Sequence, residues 1–188
     1  HRSSDPRRVA GSEPARLASR RRAARPVIAP DILVRTRLLQ LRDMRQVEPF
    51  LLGLDVRDRH ARFGLAVSDW WIGAYAARLD PDRLVLAGGF AADRLVALAE
   101  AHPAPSAGTV EVAVAVHASR RRLGVGTNLV LIAMEEAFAR GARAAGFTFG
   151  EDPALTGFMA SLGATMDASR GHAVIGAVAG RAVMREVA

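Results

Sequence analysis

Eight residues, TVEVAVAV at positions 109–116, constrain this chain more than any other stretch. Val110, Val112, Val114 and Val116 alternate with Glu111, Ala113, Ala115 and, one step on, His117. That is the period of an extended strand with one bulky face and one nearly bare face. A basic turn, SRRRLGVG, follows at once. After it come Val130, Leu131, Met134, Ala137 and Phe138 at helical spacing, a Glu136/Arg140 pair facing outward, and Gly141 as a stop. A strand, a glycine-bearing turn and a helix are therefore predicted in succession.

The remaining elements are read outward from that unit. DILVRTRLL at 31–39 alternates like a half-exposed strand. Met44, Val47, Leu51 and Leu54 follow at helical spacing, with Asp43 and Gln46 placed for a capping box and Pro49 conflicting with an unbroken helix. DVRDRHARFG and SDWWIGAYAARLD, the latter capped by Ser68, predict two short helices. RLVLAGGFAADRLVALAEA predicts two apolar strands joined by a turn near Ala92 and Asp93. ARAAGFTFG predicts a strand, and Asp152-Pro153 opens a helix burying Leu155, Phe158, Met159 and Leu162 that ends at Gly163. GHAVIGAVAG predicts a last strand, through which two copies could pair as a homodimer.

Composition narrows the chemistry. All 26 basic residues are arginine, so a Walker-type phosphate loop, a Schiff-base lysine and a lysine base are excluded. Cysteine is absent, which removes disulfides, thiol nucleophiles and thiolate metal sites. The five histidines are scattered, and no metal is expected. Residues 1–29 hold eight arginines against Asp5 and Glu13, which is six of the seven excess positive charges. This Arg-, Pro- and Ser-rich opening reads as a flexible tail, and residues 30–188 as one near-neutral domain. The tail could meet nucleic acid or an acidic lipid surface. Aromatic residues interleaved with its arginines are absent, which makes nucleic-acid recognition the poorer expectation. With no run of membrane-span length and no signal-peptide core, the expected location is cytoplasmic.

The glycine turn suggests anion binding, because the first N–H groups of a helix lack internal partners and carry the positive end of its dipole. A dinucleotide fingerprint would need a third glycine where Leu129 stands. A plain structural turn is the alternative. The wider pattern is a valine strand, Arg121-x-x-Gly124-x-Gly126, a helix, a strand, Asp-Pro and a short helix ending Leu-Gly. It resembles the GNAT acetyltransferase superfamily, from about residue 31 to about 180 and most closely over 110–163. PFLLGLDVRDRHARFG also resembles the branch that contains bacterial protein acetyltransferases.

The resemblance implies an α+β (mixed α/β) fold with a splayed mixed sheet and helices on both faces. It implies acetyl-CoA as acyl donor and an unidentified amine as acceptor. Val114 and Val116 would bond the pantetheine arm through their backbone, and Arg121, Arg122, Leu123, Gly124, Val125, Gly126 and Thr127 would wrap the pyrophosphate. Asp152 stands where the family often has an asparagine contacting CoA, Leu123 where many members are basic or polar, and Met159 where many have an acidic tyrosine. Glu111 stands where many members carry the general base. It lies three residues from Val114, about 10 Å along a strand, so it would work through a water. A salt-bridged strand-end glutamate is the competing reading. His117 is about 20 Å from Glu111 along the strand and is expected to be an ordinary strand-end residue. Trp70 and Trp71 are candidates for an acceptor pocket or for the core. Glu100 and His102 border the expected cleft without an assigned role. An acyl-CoA-binding module without catalysis is the alternative to an N-acetyltransferase.

Overall fold

The computed structural model describes residues 33–148, 153–167, 171–177 and 180. The arginine-rich tail and Asp152 lie outside the described residues. Seven strands form one sheet: β1 (Arg35–Leu38), β2 (Val85–Ala91), β3 (Arg94–Pro103), β4 (Thr109–Val116), β5 (Ala144–Thr148), β6 (Thr165–Asp167) and β7 (His172–Gly176). Their spatial order is β1-β2-β3-β4-β5-β7-β6, and β4 with β5 is the parallel pair in an otherwise antiparallel sheet.

One face is covered by α4 (Val125–Ala139) and α5 (Pro153–Ser161), the other by α1 (Val47–Leu52), α2 (Val56–Phe63) and α3 (Asp69–Ala76). The valine side of β4 packs with Leu129, Val130, Ala133 and Met134 of α4, all fully buried. Each such aliphatic side chain contributes about 1.5–3 kcal/mol of transfer free energy. Leu131, predicted in that buried stripe, is only half-buried, and Val125 and Leu129 complete the stripe instead. On the opposite face Leu86, Leu98 and Phe90 meet Leu51, Ile72 and Ala76 of the short helices.

Local signals explain most boundaries. Asp55 and Ser68 cap α2 and α3 by accepting from the N–H groups of Asp58 and Trp71. Gly141 ends α4 at φ +99° with the Ala142 N–H donating to the Ala137 carbonyl, a Schellman arrangement. The Ala92-Asp93 turn joins β2 to β3 with both residues at positive φ, a two-residue hairpin made without glycine.

The break expected at Pro49 is present, with the helix starting near Glu48, and other details differ. A 3₁₀ helix, Leu41–Gln46, precedes α1, and Pro49 sits in the first turn of α1, where its missing N–H costs nothing. The expected Asp43/Gln46 capping box is absent: Asp43 accepts from the Gln40 N–H and from Arg37, while Gln46 Oε1 accepts from the Leu95 N–H 2.8 Å away. β6, which no apolar run announces, pairs with β7. β7 is thereby hydrogen-bonded to β5 along its length and to β6 over residues 172–174. No helix among the described residues is long and apolar enough to cross a membrane.

Candidate active site

The β4/β5 ladder is short. Thr109, Val110 and Glu111 pair with Ala144, Ala145 and Gly146, and no later residue of β4 pairs with β5. β4 stays with β3 up to Val116, and β5 continues with β7 as far as Thr148, so the sheet forks after Glu111. Backbone direction alternates along a strand. The Thr109 carbonyl accepts from Ala104, and the His117 N–H donates to Val96, so odd-numbered residues of β4 turn their backbone groups toward β3. Val114 and Val116 therefore present theirs to the open side of the fork. The Val116 carbonyl there accepts from Arg121 Nε at 2.9 Å.

The chain then makes a 3₁₀ turn, Ala118–Arg120, passes through Arg122 at φ +59° and Gly124 at φ +76°, and enters α4. Gly124 is the N-cap residue. It supplies no side chain to the helix start, and the first turn carries no acidic residue. The first intrahelical bond is Asn128 N–H to the Gly124 carbonyl, 3.0 Å. Val125, Gly126 and Thr127 are thus left as donors at the positive end of a 15-residue helix, beside the free edge of β4. Arg122 and Leu123 are exposed at this turn. The Arg121 guanidinium is tied across to Asp58 of α2. A phosphate contact through Arg121 would have to compete with that pair.

On the α1–α3 face, the odd-numbered side of β4 carries the polar groups. Glu111 Oε1 accepts from Thr148 Oγ1 at 2.7 Å, and its Oε2 lies 3.4 Å from His172 Nε2, so the carboxylate bridges the base of the fork. It sits directly over Gly146, where a Cβ would come within 2.6 Å of Oε2. His102 is the cross-strand neighbour of Glu111 in the β3/β4 register.

Next to this pair lies a network that the sequence did not reveal. Glu100 is fully buried. It accepts from Arg62 Nη2 at 2.5 Å through Oε1, and through Oε2 from the Tyr75 hydroxyl at 2.5 Å, with His102 Nε2 at 2.9 Å. Burial works against the ionised carboxylate, but the Arg62 charge and the donors of His102, Tyr75 and Arg62 outweigh it and hold Glu100 below the usual carboxylate range. Burial, reinforced by the Glu100 charge, pushes the Tyr75 phenol well above its ordinary value. Trp71 stacks on Tyr75 at 5.2 Å, and Phe63 meets both rings edge-on. Trp71 therefore belongs to this half-buried cluster, whereas Trp70 is 82 % exposed. The signal that could have found the network is the charge of Glu100 within an apolar strand, since a buried carboxylate requires partners.

His117 caps the 3₁₀ turn, its Nδ1 accepting from the Ser119 N–H, and takes no part in either cluster. Met159 of α5 is buried in the core cluster that also includes α4. A separate depression lined by Arg35, Arg37, Arg42, Phe90 and Asp93 lies at the β1 edge, with Arg35 and Arg37 already paired to Asp93 and Asp43.

The forked sheet with a helix start beside its free strand edge has counterparts among known proteins. Residues 40–164 match the Acetyltransferase (GNAT) family. The chain belongs to that family. GNAT structures with the same fold include the GNAT domain of S. lividans PAT, with a TM-score of 0.63 at 18 % identity over 76 % of this chain and 90 % of that one. A ribosomal-protein-alanine N-acetyltransferase from Brucella melitensis aligns with a TM-score of 0.54 at 15 % identity, over 70 % and 84 % of the two chains. The PaiA N-acetyltransferase of Thermoplasma acidophilum, solved in complex with coenzyme A, aligns with a TM-score of 0.54 at 13 % identity, over 77 % and 99 %. No curated protein matches the chain. GNAT acetyltransferases use acetyl-CoA as acyl donor.

Proposed function

We propose that this GNAT chain is an N-acetyltransferase that moves an acetyl group from acetyl-CoA to a primary amine. The observation that carries the reading is the juxtaposition at the fork: a strand edge at Val114 and Val116 that pairs with no strand among the described residues, its Val116 carbonyl taken by Arg121, beside the N–H groups of Val125, Gly126 and Thr127, which have no intrahelical partner. Those groups suit the two parts of the donor. The strand edge can bond an amide-bearing pantetheine arm as an added strand would, and the helix start can hold the pyrophosphate. Arg122, Leu123 and Gly124 frame the cradle, with Arg121 secondary because of its bond to Asp58.

An amine attacks a thioester carbonyl only as the free base, so the site must remove a proton from the ammonium form. Glu111 is the proposed acceptor of that proton through one water, and the Val114 N–H is the proposed donor to the charge that develops on the carbonyl oxygen. Departure of the CoA thiolate needs no protein acid, because the attacking amine's remaining proton can neutralise it. Titrating the full chain calorimetrically with acetyl-CoA tests the cradle: saturable binding is expected, and its absence from folded protein refutes the reading. Glu111→Gln should lower kcat about 100-fold with acetyl-CoA affinity unchanged. Wild-type turnover would remove Glu111 from the chemistry.

One observation favours a second reading, an acyl-CoA-binding module without catalysis. Tyr75 is the chain's single tyrosine and its hydroxyl is committed to Glu100, while Met159 of α5 is buried. Tight CoA binding with no transfer to any amine in a panel of polyamines, amino acids and peptides would establish it.

A further inference from the structure

We infer that His102 receives the amine proton first and passes it through the water to Glu111, with its Nδ1 as the receiving atom and Glu100, Tyr75 and Arg62 as its positioning residues. The inference rests on the acetyltransferase reading above and names a part of that site the reading leaves without a role.

An ionised carboxylate only accepts, so the 2.9 Å contact between Glu100 Oε2 and His102 Nε2 requires the proton on Nε2. The Tyr75 hydroxyl hydrogen goes to the same oxygen at 2.5 Å. In the 3.3 Å contact between the Tyr75 oxygen and His102 Nε2, the phenol is therefore the acceptor. Both contacts fix the neutral imidazole as its Nε2–H tautomer. The lone pair is then on Nδ1, for which no protein partner exists among the described residues.

The surroundings keep that lone pair useful. Glu100 is fully enclosed and Arg62 nearly so, and their 2.5 Å pair cancels charge within the wall of the site. The wall orients His102 without adding a free anion. The His102 side chain is 31 % exposed and lies across the ladder from Glu111. The ionisable groups around it are Glu100 on its own strand, Tyr75 from α3, Arg62 from α2 and Glu111 across the β3/β4 ladder. Glu111 thus supplies a carboxylate to attract the ammonium group, next to a neutral ring nitrogen able to take its proton. A buried carboxylate that fixes one imidazole nitrogen and leaves the other as base is the division of labour used by hydrolytic triads.

The step balances. The ammonium group gives one proton to Nδ1, making the imidazolium. The free amine forms the C–N bond as the C–S bond breaks, and the amine's second proton ends on the CoA thiol. The imidazolium passes its proton through the water to Glu111, which releases it to solvent.

Two measurements on the full chain test this. In ¹⁵N-detected histidine spectra, wild type should show His102 as the Nε2–H tautomer, and Glu100→Gln or, should that variant not fold, Tyr75→Phe should shift the population toward a mixture. His102→Ala should bind acetyl-CoA as wild type does, lose at least 10-fold in kcat, and recover activity in proportion to added imidazole. An Nδ1–H tautomer in wild type, or undiminished turnover in His102→Ala, overturns the inference, as does a loss that imidazole does not restore. Absence of acetyl-CoA binding by wild type sinks the acetyltransferase reading and this inference together, whereas normal binding with full His102→Ala activity sinks this inference alone.

Discussion

Replacing Arg62 with methionine isolates the electrostatics of the Glu100 wall. Methionine keeps an unbranched apolar stem against Phe63 and Tyr75 but leaves a fully buried carboxylate without its cation. Removing one partner of a buried pair costs about 3–5 kcal/mol. Arg62 Nε is itself buried without a partner, and losing that donor offsets part of the penalty. A net loss of about 3 kcal/mol corresponds to a Tm lowered by roughly 6–12 °C for a domain of this size. The pH dependence is the sharper test. In wild type the carboxyl titrates below its unfolded value of about 4.3. It therefore contributes stability above that pH, lost only as pH falls through the lower folded value. Without Arg62, burial dominates and the folded value rises above the unfolded one. The penalty is then full above that raised value and shrinks as pH falls from it toward the unfolded value. Thermal unfolding followed by circular dichroism at pH 7 and pH 5 should show the gap between wild type and Arg62→Met narrowing at the lower pH. A gap equal at both pH values, or a loss below about 1 kcal/mol, would refute the reasoning.

Four glycines give further tests. Gly124→Ala forces a side chain onto φ +76° and should cost about 1 kcal/mol while weakening acetyl-CoA binding; Gly126→Ala places a Cβ at an ordinary 3.4 Å from Val116 and should weaken binding alone, so calorimetry and melting temperature separate the two. Gly146→Ala brings a Cβ within 2.6 Å of Glu111 Oε2 and 3.0 Å of His172 Nε2, the movable ends of side chains, so kcat should fall with little change in Tm. Gly88→Ala drives a methyl into Leu39, Leu95 and Phe90 in the core and should cost about 1–3 kcal/mol in denaturant unfolding with site chemistry intact.

What the sequence revealed divides by range. The β4 alternation, the α4 stripe and the Asp55 and Ser68 caps are written in neighbouring residues, so they could be read directly. β6 is three residues long and carries no apolar run. Gln46 could not be placed because its acceptor oxygen serves Leu95, 49 positions away. The same holds for the Glu100 wall, which gathers residues 62, 75, 100 and 102 from two helices and a strand. Periodicity marks the face on which Glu100 stands; only the packing of α2 and α3 onto that face supplies the arginine and the phenol.

The two halves of the candidate site depend on sequence in different ways because β4 separates them. Its even-numbered side chains enter the core under α4, and the backbone groups of Val114 and Val116 turn sideways into the fork. The odd-numbered side turns Glu111 to the face covered by the short helices, the proposed acceptor face. Backbone donors survive most substitutions, so a donor cradle made of a strand edge and a helix start requires little beyond Gly124 and a strand that stops pairing at Glu111. The acceptor face has no such tolerance. Its groups are side chains held by other side chains, and a change at Arg62 or Glu100 moves His102 without touching the cradle. Variants of the Glu100 wall should therefore alter kcat at constant donor affinity, and variants of the glycine turn should alter donor affinity first. That separation is what the calorimetric and kinetic measurements above are placed to read.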